Sequence, residues 1–123
     1  MIVHIIDKEV FQEVLLIGAK TRTEHFTLHR INVPQDSLAN PKLESLQIGV
    51  VVPKRLAKRA VTRNAIKRQA YSISRESANR YLNEQHVIRL NKEFDKKKYL
   101  SASSKLLKSE VNKEIRALYN LVD

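Results

Sequence analysis

From Pro53 to Leu82 the chain carries no glycine and, after Pro53, no further proline, so nothing in it interrupts a helix. Between Lys54 and Arg80 the same stretch holds nine cations, Lys54, Arg55, Lys58, Arg59, Arg63, Lys67, Arg68, Arg75 and Arg80, against one acid, Glu76. At about 100° per residue, Arg63, Lys67, Asn64, Arg75 and Arg68 share an arc of roughly 140°. Ile66, Ala70 and Ile73 fall on a separate arc, an inward stripe. The stretch can therefore run as one helix of several turns that buries one face and displays anion-binding donors on another.

An ordinary charge run is a solvated face, yet such a face normally pairs its cations with acids four residues away. Here Arg59, Arg63 and Lys67 stack along one ridge, each like-charged pair costing a few tenths of a kcal/mol. A polyanion would remove that repulsion, which favours a nucleic-acid face. The whole chain agrees: 123 residues make one domain, and 23 Lys plus Arg against 13 acids give a net charge of +10 and a pI near 10.0. Such a field attracts phosphate polymers or anionic membranes. No apolar run approaches the ~20 residues that span a bilayer, and no signal peptide is visible. A soluble, cytoplasmic protein is expected. With no Cys there is neither a disulfide framework nor a thiolate metal site, and two glycines exclude a Gly-rich phosphate loop.

Asp7 is an N-cap for a helix over Lys8 to Ile17, whose Val10, Phe11, Val14 and Leu15 are one-sided, with Gly18 as its stop. Phe11 and Leu15 read as core or as the rim of a ligand cleft. Thr21 to Val33 alternates like one strand, with Phe26, Leu28 and Arg30 on one face and Thr27, His29 and Ile31 on the other. His25 and His29 would share a face, but no third ligand sits near enough for a metal site. Pro34 to Ser45 is a loop, and Leu46 to Val52 is a β-branched run suited to the middle of a sheet. Gly49 within it permits a bulge or a close backbone approach. His86 to Leu90 is a short strand, and Asn91 to Leu100 a polar connection carrying Lys96, Lys97 and Lys98. Ser101 to Val122 is a closing amphipathic helix built on Leu107, Val111, Leu118 and Val122, capped by Ser103 or Ser104. The order α-β-β-α-β-α indicates an α+β fold, one small sheet with helices packed on it.

The chain offers no self-sufficient chemistry. There is no Cys nucleophile, no G-x-S-x-G and no H-E-x-x-H. Asp7, Glu9 and Glu13 complement the first helix's dipole, and Glu110 with Glu114 reads as a solvated i,i+4 pair. No catalytic residue and no protein-bound metal is expected. Polyanion binding without a catalytic dyad suggests a binding subunit whose partner supplies the catalyst.

Val52-Pro53-Lys54-Arg55, seven residues, then Arg63-Asn64-x-Ile66-Lys67-Arg68 resembles the RNR-motif region of the protein subunit of bacterial ribonuclease P. The FQEVL helix ending in Gly18, the FTLHR strand, the LQIGVVV strand and the VIRL strand with its closing helix follow the family's order. The resemblance covers almost the whole chain. It implies a mixed sheet covered by helices, with a left-handed βαβ crossover through the basic helix. It implies a catalytic RNA that uses Mg²⁺, and a protein that binds beside that RNA's active site and holds the 5′ leader of precursor tRNA. Lys54, Arg55, Arg63, Asn64, Lys67 and Arg68 would contact the RNA, with Arg59 and Arg75 available as compensating cations. Phe11, Leu15 and His29 match leader-binding cleft positions. No membrane and no obligate protein partner are implied.

Two positions depart from the family pattern: Ala65 stands at the middle Arg of the motif and Tyr71 at a further Arg. Leu15 and His29 also replace aromatics, which weakens base stacking in the cleft. The competing reading is a small structural, ribosomal-type RNA-binding protein with no part in cleavage. A peripheral membrane protein needs bulky apolar anchors opposite the basic face, and the basic helix has no Trp or Phe.

Overall fold

The structure, a computed structural model, describes residues 2–5, 7–32, 45–95 and 105–121. Along the chain run β1 (Ile2–His4), α1 (Lys8–Ile17), β2 (Ala19–Arg22), β3 (Phe26–Asn32), β4 (Leu46–Val51), α2 (Ala60–Ser77), a 3₁₀ turn (Ala78–Arg80), β5 (Glu84–Leu90) and α3 (Lys105–Asn120). The strands form one mixed sheet in the order β1-β4-β5-β3-β2. β4 is parallel to both β1 and β5, and β3 is antiparallel to β5 and β2. The order is thus β-α-β-β-β-α-β-α rather than α-β-β-α-β-α.

Period-2 alternation divides the sheet into two faces. Leu28, Ile48, Val50 and Ile88 pack with Ile66, Ala70 and Ile73 of α2 and Leu107, Val111, Ile115 and Leu118 of α3, making the main core. On the opposite face α1 lays Val10, Phe11, Val14 and Leu15 over Ile5, Ile31, Val51 and Val87. Both faces of β3 are therefore covered in part, which is why its sequence shows no single apolar side.

The first helix keeps its expected bounds, and the Asp7 side chain accepts from the backbone N–H of Glu9 at 2.9 Å. Gly18 ends it by giving room. Its φ of −66° is ordinary, but a Cβ there would collide with the Val14 carbonyl and the Arg30 backbone. The single strand over 21–33 is instead a hairpin, β2 and β3 joined through Thr23–His25, closed by Thr23 N–H on the Phe26 carbonyl at 2.9 Å. No Gly or Pro marks that turn, and β1 is too short to show a period. The basic helix also starts later than its lack of breakers suggested. Residues 53–59 form a turn in which the Leu56 and Ala57 N–H groups donate to the Pro53 carbonyl, and α2 begins at Ala60 after an extended Arg59. β5 opens two residues before His86. The Pro34 loop, the Lys96–Lys98 run, the Ser103 and Ser104 caps and Val122 lie outside the described residues.

Candidate RNA interface

Packing orients α2 before any ligand is considered. Ile66, Ala70 and Ile73 seat it on the sheet, and Ser74 anchors it to α3 through a 2.7 Å hydrogen bond with the Tyr119 hydroxyl. That leaves Asn64, Arg68 and Arg75 exposed, with Arg63 and Lys67 half-buried on the flank. Lys54 and Arg55 stand exposed in the preceding turn and Arg59 at the helix N-cap. All eight predicted RNA contacts thus belong to one helix and its lead-in.

Among the described residues none of these seven cations has a carboxylate within ion-pair distance; Glu76, the one acid of α2, pairs with Arg116 of α3 at 2.7 Å. Arg63 is nonetheless held: its guanidinium donates to the carbonyls of Ala57 (2.9 Å) and Lys58 (2.8 Å), bracing the turn that delivers Lys54 and Arg55. Those bonds use dipoles, so the charge stays uncompensated. Ala65 is half-buried, and at Tyr71 the ring packs against the main core and stacks on His4. Neither family arginine has a substitute at its own position.

The second group lies on the other side of the sheet. Phe11 and Leu15 are half-buried over Ile31, Val51 and Val87. The Phe11 ring rests on Gly49, where a Cβ would overlap it, so Gly49 serves close approach rather than a bulge. His29 is only 2 % exposed, so it is buried rather than presented at the surface, and neither ring nitrogen has a partner among the described residues. Burial, then the charges of Arg89 and Lys20, lower its pKa from 6.5 to about 4. At neutral pH this leaves an uncharged ring with one donor and one acceptor. His25, by contrast, sits in the hairpin turn, its ring stacked on Phe94 and its Nδ1 2.7 Å from the Glu114 carboxylate. Glu114 is therefore a buried tether, so its pair with Glu110 is not a solvated one.

Strand register exposes cations that sequence reasoning passed over. Val51, Arg89, Thr27 and Arg22 are successive cross-strand neighbours on the α1 face, and Lys20 lies beside His29 in the adjacent row. Arg89 is half-buried, its Nε without a partner among the described residues, while Lys20 and Arg22 are exposed. The signal was present as arginine within the apolar strand HVIRL, but only pairing assigns it a face. Because β4 and β5 are parallel, Arg89 lies at the strand end from which Lys54 and Arg55 depart. The α1 face and the α2 ridge lie on opposite faces of the sheet.

Comparison with known proteins bears on family and fold. The family model for ribonuclease P matches residues 3–118. The ribonuclease P protein component of Burkholderia mallei (strain SAVP1) is 31% identical over 115 residues, covering 94% of this chain and 78% of that protein. That of Paraburkholderia xenovorans (strain LB400) is 30% identical over 115 residues, covering 94% and 76%. The structure superimposes on the Staphylococcus aureus RNase P protein with a TM-score of 0.69 at 16% identity, covering 98% of this chain and 94% of that one. For the Thermotoga maritima RNase P protein the TM-score is 0.61 at 16% identity, with 92% of each chain covered. A five-stranded mixed sheet carrying a cationic helix, matched over nearly its full length by sequence and by fold, places this chain in the ribonuclease P protein component family.

Proposed function

We propose that the chain docks the α2 ridge on the ribonuclease P RNA and takes the 5′ leader of precursor tRNA along the sheet face beside α1. Family membership makes it the protein component of an endoribonuclease that takes part in the 5′ maturation of tRNA. The observation that carries the docking mode is the set of α2 cations with no carboxylate partner among the described residues while the apolar stripe fixes their direction. Each phosphate neutralised releases condensed counterions, so assembly gains entropy and weakens with salt. Asn64 adds an uncharged amide that fixes register. The cleft supports the leader through shape, the Phe11 ring and the cations Lys20, Arg22 and Arg89, without base-specific readout.

Among the described residues no three His, Asp or Glu side chains converge on a possible ion site. Divalent ions would belong to the RNA, and no step is assigned to a protein side chain. No helix among the described residues is long and apolar enough to cross a membrane.

The test is reconstitution. With a bacterial ribonuclease P RNA at low Mg²⁺, the protein should raise cleavage of a precursor tRNA carrying a leader of several nucleotides. Phe11→Ala should reduce that gain more for the long leader than for a one-nucleotide leader. No gain for either substrate would leave a structural, ribosomal-type role instead.

A further inference from the structure

On β1 the exposed His4 lays its ring on Tyr71 of α2, the centroids 4.0 Å apart and the planes 14° from parallel. Tyr71 is held in place by its ring, which packs against the main core. Lys67 lies one turn before Tyr71 on α2 and Arg63 two turns before, so all three follow one flank of the helix. β1 pairs only with β4 among the described residues, which leaves its outer edge unpaired there. No other ring stacks on His4 among the described residues. The cationic flank thus ends in a preorganised pair of flat rings, one of them exposed.

We propose that the His4–Tyr71 stack is a platform for an unpaired nucleobase of the same RNA that docks on α2. RNA recognition commonly pairs phosphate contacts with stacking of splayed-out bases on aromatic rings, histidine included. The platform lies where the family pattern has an arginine, so a stacking contact replaces a charge at the end of the ridge. Fixing both rings in advance lowers the ordering cost of the contact. The inference rests on the reading of α2 as the RNA face, but its energetic signature differs: stacking releases no counterions, so its contribution does not follow salt.

Binding of the full chain to a bacterial ribonuclease P RNA transcript is measured across a salt series for the parent, His4→Ala, His4→Phe and Lys67→Ala, with thermal melts of each free protein. His4→Ala should weaken binding about tenfold at every salt concentration with the parent slope, His4→Phe should restore it, and the melts should stay close to the parent's. Parent-like affinity in His4→Ala, or a shallower slope that His4→Phe fails to restore, would overturn the platform. A loss of affinity matched by a collapsed melt would also overturn it, since the stack would then merely hold β1. A flattened slope in Lys67→Ala beside an unaffected His4→Ala refutes the platform and leaves the docking reading intact. An unchanged Lys67→Ala slope counts against docking itself.

Discussion

Buried polar side chains decide most at the scale of single residues. Glu114, 5 % exposed, accepts the His25 backbone N–H at 2.7 Å and faces its Nδ1 at 2.7 Å, tying the β2–β3 turn to α3. Burial alone would raise its pKa, but the bonds from His25 prevail and hold it below the usual carboxylate range. Glu114→Gln keeps the shape and loses a charge-assisted acceptor, so urea denaturation should show a loss of about 2–3 kcal/mol. His29 predicts a pH effect. Its folded pKa of about 4 lies below 6.5, so the unfolded chain takes up a proton first as pH falls. Stability should fall from about pH 6.5 toward 4, by roughly 2–3 kcal/mol from this group. His86, lowered mainly by burial, acts in the same direction, and Glu114 does so only below the ordinary carboxylate range. Glu110, raised by burial and by Glu114, opposes them. Denaturant titrations at pH 7 and pH 5 should show the fall, and His29→Leu should make it shallower. An equally steep fall in that variant would contradict the neutral, buried imidazole.

Elements are placed by a few shape constraints that the sequence states unevenly. The bounds of α1 were readable because Asp7, a one-sided apolar stripe and Gly18 all point the same way. The onset of α2 was not, because residues 53–59 contain no breaker after Pro53, and the turn there is set by an extended Arg59 and by hydrogen bonds from the Arg63 side chain. The hairpin went unseen for a similar reason: Thr23, Glu24 and His25 are not turn formers, and the His25–Glu114 contact that stabilises them joins residues far apart in sequence. Gly49 shows what was half legible. Its place in an apolar strand signalled a close approach, and only the fold names Phe11 as what approaches. Gly49→Ala should displace that ring and cost about 1–3 kcal/mol by overpacking. Phe11→Leu in the same background should recover part of the loss, measured as non-additivity in a double-mutant cycle.

For the whole molecule the decisive property is that one sheet carries helices on both faces, α2 and α3 on one and α1 on the other. Its basic face was legible from charge spacing, since cations on α2 recur at helical period without compensating acids. The cleft was legible only through Phe11 and Leu15. Lys20, Arg22 and Arg89 reach it by cross-strand pairing, a relation absent from local pattern. The central claim is that α2 binds RNA by neutralising phosphates, and the slope of log binding constant against log salt tests it most directly. The parent should show a steep negative slope on a ribonuclease P RNA. Lys67→Ala with Arg68→Ala should flatten it by roughly 0.7–0.9 for each phosphate no longer neutralised, while leaving the thermal melt unchanged. A double variant with the parent's slope and affinity would contradict the account.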